Sequence, residues 1–173
     1  MITLVLGGAR SGKSRIAQEL AIASLLPVTY IATATALDEE MAARIEHHQH
    51  NRPSEWRLRE CPLNLAAALQ KETQQPQTIL VDCLTLWLNN QLFEYPEQDF
   101  SALFDALVNS LSANNANVIL VANEVGLGII PLGEVSRKFV DEAGRLNQQL
   151  AKIADKVLFV AAGIPLALKD NTK

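Results

Sequence analysis

The stretch Gly7-Gly8-Ala9-Arg10-Ser11-Gly12-Lys13-Ser14 constrains what this chain can fold into more than any other feature. It satisfies G-x-x-x-x-G-K-[ST] at every fixed position, and each position has a chemical reason. Glycines permit the turns that point backbone N–H groups inward around phosphate oxygens. Lys13 brings a point charge to the β/γ-phosphates, and the Ser14 hydroxyl is placed for Mg2+. Ile2 to Leu6, just upstream, is a β-branched apolar run, and Lys13 to Ala23 carries a helical pattern. A loop between such a strand and helix aims the helix's positive end at a bound anion. A glycine-rich turn without a ligand is the competing reading, and the strand–loop–helix context argues against it.

The rest of the chain repeats the alternation. Val28 to Ala32, Thr78 to Asp82, Val118 to Ala122 and Val157 to Ala161 are short, almost wholly apolar runs, as expected for strands covered on both faces. Glu55 to Glu60 alternates and reads as an edge strand. "IPLALK" (Ile164 to Lys169) offers a final short strand, although Pro165 weakens that reading. Helical patterns fill Asp38 to His50, Leu63 to Glu72, Ser101 to Ala113 and Val135 to Ala154; Phe93 to Ser101, around Pro96, reads as a long surface loop. Strands separated by helices imply right-handed crossovers and a mostly parallel sheet. With 173 residues and no linker, the expectation is a single domain, 1–173.

Composition narrows the function. A formal net charge of -4 disfavours broad capture of nucleic acid or an anionic membrane. No apolar run is long enough to span a bilayer, and the N-terminal run lacks the basic flank of a signal peptide. Cys61 and Cys83 have no metal-type spacing and read as two reduced thiols. A soluble, cytoplasmic protein is the expectation.

Two further features bear on chemistry. A P-loop site normally has a second Mg2+-organising carboxylate at the end of a buried strand. Asp82, closing "TILVD", is the first candidate and Glu124, after "VILVAN", the second. The helical segment ending at His50 carries Arg44, His47, His48 and His50. Three readings fit it: a metal pair of His47 and His50, a solvated polar helix end, or a nucleophilic imidazole that carries a phosphoryl group as a phosphoramidate. Arg44, Arg52 and Arg57 are then available to phosphate charge. In helix phase, Met41, Ile45 and His48 share one stripe, and His47 falls on another side with Glu40 and Ala43.

Taken together, "GGARSGKS", "YIAT", "DEEMAARIEHHQHNRPSEWRLRE", "NEVGLGIIP" and "AGRLNQQLA" resemble the bifunctional adenosylcobinamide kinase/adenosylcobinamide-phosphate guanylyltransferase family of cobalamin biosynthesis. The resemblance runs from Met1 to about Lys169, whereas Phe93 to Ser101 departs from the pattern. It implies a RecA-like P-loop α/β fold and a homotrimer. It implies that ATP or GTP phosphorylates adenosylcobinamide. GTP then gives GMP to adenosylcobinamide phosphate through a guanylylated histidine, releasing pyrophosphate.

Carried over by position, the resemblance puts the triphosphate on Gly7 to Ser14. It puts nucleotide contacts at Thr33, Ala34 and Thr35 and at Gln49, His50, Asn51 and Arg52, and acidic positions near GTP at Glu60 and Asp82. The nucleophile is the histidine five residues before the proline of "RP", which is His48. Other functions compatible with the P-loop are a small-molecule kinase of another pathway and a nucleotide-dependent switch.

Overall fold

Among the described residues, 1–35, 53–112 and 115–172 of a computed structural model, strands and helices alternate as the apolar runs require. The order is β1 (Ile2–Gly7), α1 (Lys13–Ala23), β2 (Val28–Ala32), β3 (Arg57–Glu60), α2 (Leu65–Glu72), β4 (Thr78–Asp82) and α3 (Leu84–Glu94). Then come α4 (Phe100–Ser112), β5 (Asn117–Asn123), α5 (Glu134–Ile153), β6 (Lys156–Ala161) and β7 (Ile164–Asp170). The strands form one seven-stranded sheet ordered β3-β2-β4-β5-β1-β6-β7. Every pairing is parallel except β6 with β7. The helix expected over Asp38 to His50 lies outside the described residues.

The unbroken apolar runs are explained by the two cores. Leu4, Ile31, Ile79, Val81 and Leu120 face one way, onto Leu65 and Leu69 of α2, Trp87 of α3, Phe104 of α4 and Leu146 of α5. Val5, Tyr30, Leu80, Ile119 and Val121 face the other way, onto Ile16, Ala17 and Ala21 of α1. Each strand therefore needs apolar residues at both parities. Continuing that period, Gly7, Asp82 and Asn123 fall on the α1 face at the sheet's carboxyl edge.

One helix has no counterpart in the sequence reading. In α3, Leu84, Trp87, Leu88 and Leu92 are buried, but Leu86 packs toward the second core and Phe93 is exposed. Apolar residues on opposite sides leave no clean stripe for periodicity to find. The surface loop is correspondingly shorter than Phe93 to Ser101, because α3 runs to Glu94 and α4 starts at Phe100.

The two edges are secured differently. β3 is an edge strand, and Arg57 and Arg59 both reach the buried Glu72 of α2. β7 returns antiparallel through a two-residue turn in which Ala162 (φ 51) and Gly163 (φ 78) are both left-handed. That turn matches the twist of the paired strands. Pro165 sits opposite Val160 on this outer strand, where a missing N–H is tolerated. Cys61 and Cys83 are free and buried. No helix among the described residues is long and apolar enough to cross a membrane.

Candidate nucleotide site

The phosphate cradle is built by the link from β1 to α1. Gly7 ends the strand where a side chain has no room: a Cβ there would lie 2.5 Å from the Val160 carbonyl oxygen and 2.6 Å from Ser11 Oγ. Arg10 (φ 55) and Gly12 (φ 93) take left-handed conformations that turn the backbone. Gly12 is the N-cap of α1 and supplies no side-chain cap, so the helix start keeps N–H groups to offer an anion. Ala9 and Arg10 lie exposed at the crest, and Gly8 and Ser14 are half-buried.

Lys13 is buried, and its Nζ donates to the Gly8 carbonyl oxygen at 3.2 Å, back across the loop. Burial lowers the ammonium pKa against the opposing pull of the Asp82 charge. Ser11 Oγ is buried with no hydrogen-bond partner among the described residues. A desolvated cation and an orphaned hydroxyl in one loop are groups that a phosphate would satisfy.

The outer wall is braced by the β6–β7 turn, which periodicity did not reveal as part of the site. Gly163 N donates to Ser11 O at 2.8 Å, and Arg15 Nη2 donates to Gly163 O at 3.1 Å. A Cβ on Gly12 would meet Gly163 Cα at 3.1 Å, so the two turns touch backbone to backbone.

The carboxyl edge collects the acidic positions. Ala32 is in register with Glu60 on one side and Asp82 on the other, so Glu60, Ala32 and Asp82 share one row. Two strand spacings put the acids about 10 Å apart. Glu60 is exposed. Asp82 Oδ2 accepts a hydrogen bond from the Tyr30 hydroxyl at 3.1 Å. Glu124 is on the far side of β5: its N–H donates to Gly7 O, and its carboxylate accepts from Gly126 N at 2.6 Å. Of the two carboxylates considered for the metal, Asp82 therefore faces the α1 side, and Glu124 caps its own turn.

Thr33 is fully buried. Its hydroxyl donates to Cys83 O at 2.7 Å and accepts from Cys83 N at 2.9 Å. Asn90 Nδ2 donates to Thr33 O at 2.8 Å. Its polar groups are thus spent on holding β2 to the start of α3, whereas Thr35 is exposed beyond it. The Cys83 thiol is pushed up to about 11 by burial, with the Asp82 charge adding to it, and stays protonated.

Arg57 lies at the far end of β3, paired with Thr29, where its guanidinium serves Glu72 rather than a phosphate. Arg44, His47, His48, Gln49, His50, Asn51 and Arg52 lie outside the described residues. Sequence reasoning also missed Asn123, whose Oδ1 is buried without a partner among the described residues and which pairs with Gly7.

The donor set fits Mg2+. The Ser14 hydroxyl and the Asp82 carboxylate are hard oxygen donors, and Lys13 feels the Asp82 charge. Among the described residues no group of three or more His, Cys, Asp or Glu could hold a metal alone. Few protein ligands plus phosphate oxygens is how Mg2+ is ordinarily held.

Comparison with known proteins agrees on fold and family. The family model described as cobinamide kinase / cobinamide phosphate guanyltransferase matches residues 3–168. The bifunctional adenosylcobalamin biosynthesis protein CobP of Pseudomonas aeruginosa is 51% identical over 169 residues, covering 98% of each chain. The Salmonella typhimurium protein CobU, of the same description, is 43% identical and covers 98% of this chain and 100% of that one. Among solved structures, the RadB recombinase superposes with a TM-score of 0.51 at 15% identity, over 91% of this chain and 73% of that one. The P4 protein of bacteriophage phi6, in complex with ADP, superposes at 0.50 and 16%, over 95% of this chain and 52% of that one. At such identities the likeness is one of fold, the P-loop NTPase fold.

Proposed function

Because the chain belongs to the cobinamide kinase / cobinamide phosphate guanyltransferase family, we propose that it performs both reactions on adenosylcobinamide. In the first, a hydroxyl oxygen of adenosylcobinamide attacks the γ-phosphorus of ATP or GTP. The new O–P bond forms as the bridging bond to the β-phosphate breaks, and the hydroxyl proton leaves to solvent. In the second, His48 attacks the α-phosphorus of GTP and pyrophosphate departs. A phosphate oxygen of adenosylcobinamide phosphate then displaces the histidine, giving adenosylcobinamide-GDP.

The observation that carries this reading is the buried Lys13 in a glycine cradle beside Asp82, within a chain whose family match runs nearly end to end. Lys13 and the N–H groups at the start of α1 hold the β- and γ-phosphates and stabilise charge that builds on them during transfer. Ser14 and Asp82 would hold Mg2+, which would neutralise charge on the phosphate oxygens. Ala34, Thr35 and Glu60 continue the carboxyl edge toward the nucleoside. Gln49, His50, Asn51 and Arg52 flank the nucleophile and contact the same GTP. A formal net charge of -4 disfavours nucleic acid as a partner.

The test is covalent labelling. Incubation with α-labelled GTP should leave an acid-labile, alkali-stable label that persists in His47→Ala and is absent from His48→Ala. Kinase activity should survive His48→Ala at least in part, because γ-phosphoryl transfer needs no covalent intermediate. A label lost in His47→Ala and kept in His48→Ala would move the nucleophile to the neighbour. A label kept in both would end the assignment of His48 as the nucleophile.

We also propose a homotrimer. The number of copies rests on the family resemblance, and a contact surface is offered by an exposed apolar run after β5, with Leu127, Ile129, Ile130 and Leu132 at 80%, 98%, 76% and 97% exposure. Apolar residues this exposed and this clustered ordinarily mark an interaction surface.

A further inference from the structure

Tyr30 is a buried tyrosine on the α1 face with its hydroxyl against the carboxylate beside the P-loop, and the reaction as described gives it no task. It is in register with Leu80, so Asp82 is its diagonal neighbour two residues on, on the same face. Such a diagonal spans about 7–8 Å between Cα atoms, within reach of a long side chain with a polar tip. The phenol covers it, donating to Asp82 Oδ2 at 3.1 Å. The ring is held in turn: Tyr30 is 6% exposed and stacks on Trp56 at 6.5 Å between centroids with 30° between planes. Trp56 is itself buried, and its backbone N–H donates to Pro53 O at 3.2 Å.

We propose that Tyr30 is a positioning residue for the metal carboxylate, fixing the orientation in which Asp82 would hold Mg2+. The terminal torsion of an aspartate is broad and nearly two-fold, so an unsupported Asp82 samples orientations that point neither oxygen at the metal. A neutral phenol fixes the orientation without cancelling the charge, as an arginine or lysine would. Hydrogen-bond partners of this kind ordinarily govern metal affinity as strongly as some direct ligands do. The inference rests on the reading of Asp82 as the Mg2+ carboxylate.

The experiment measures Mn2+ bound with a non-hydrolysable GTP analogue, by electron paramagnetic resonance, in wild type, Tyr30→Phe, Asp82→Asn and the double variant. Tyr30→Phe keeps the ring and the stack. It should weaken Mn2+ binding about tenfold while the circular dichroism and affinity for metal-free nucleotide stay at wild-type values. Asp82→Asn should weaken it at least as much, and the double variant no further, the non-additive result expected of coupled groups.

Unchanged Mn2+ affinity in Tyr30→Phe beside a loss in Asp82→Asn overturns the role of Tyr30 alone. Losses that add in the double variant overturn the coupling. Wild-type affinity in Asp82→Asn overturns the metal reading of Asp82 and this inference with it. Should Tyr30→Phe fail to fold, Trp56→Leu frees the ring but keeps the hydroxyl and should give a loss smaller than the roughly tenfold expected of removing the partner outright; no loss there overturns the proposal.

Discussion

At the scale of single residues, the P-loop glycines are not equivalent. A Cβ on Gly7 collides with a backbone carbonyl, whereas a Cβ on Gly8 meets nothing within 4 Å. Gly7→Ala should therefore cost about 1–3 kcal/mol of stability, the usual penalty of overpacking, and impair nucleotide binding. Gly8→Ala should melt within experimental error of wild type. Thermal denaturation of the two variants checks the contrast. Lys13 is the complementary case. Its burial costs desolvation, which its hydrogen bond to Gly8 O and the charge of Asp82 offset. Lys13→Ala should leave the melting temperature close to wild type and lower kinase turnover by about 10²-fold or more, the scale of losing one charge-stabilising donor. Wild-type turnover in a folded Lys13→Ala protein would remove the lysine from the chemistry.

At the scale of elements, two attachments carry testable weight. The first is the β3 edge. Burial tends to raise the Glu72 carboxyl pKa, but hydrogen bonds from Arg59 and Gln77 and the charge of Arg57 bring it below the ordinary value. A depressed carboxyl contributes stability that is complete above the unfolded pKa, about 4.3, and is lost as pH falls through the folded value. Glu72→Gln should thus melt lower than wild type near pH 7, by about 2–4 °C for each kcal/mol lost, and the gap should narrow as pH falls below the unfolded pKa and through the lowered folded one. The second is α3, anchored by Trp87, fully buried, whose Nε1 donates to Leu63 O at 2.8 Å. Trp87→Ala should cost about 3–5 kcal/mol, read by denaturant titration. Because α3 starts right after Asp82, that loss should be accompanied by weaker nucleotide binding.

At the scale of the molecule, the two cores assign different tasks to the two faces. The α1 face carries the P-loop, Tyr30 and Asp82, and the face with α2 to α5 holds the larger apolar cluster. The apolar run from Leu127 to Leu132 is left outside both. If it is the contact between copies, Ile129→Asp with Leu132→Asp should turn a trimer into a monomer by light scattering, with little change in circular dichroism, since both residues are almost fully exposed. A wild-type monomer at working concentration would count against the assembly.

What the sequence determined is whatever depends on neighbours along the chain. Continuous apolar runs disclosed the buried strands, because a strand covered on both faces needs both parities apolar. The G-x-x-x-x-G-K-S spacing disclosed the cradle, because few residues tolerate left-handed turns beside a phosphate. β3 was legible as an edge from its alternation, and β7 despite Pro165. The helix α3 was not, since its apolar residues serve two cores and leave no stripe. Tertiary structure alone decided strand order and register, and with them which distant groups meet. Tyr30 and Asp82 are 52 residues apart, and Gly163 is 148 from Arg15. No periodicity of 2 or 3.6 encodes such pairs. They follow from two strands choosing each other as neighbours, a choice made by packing across the whole sheet.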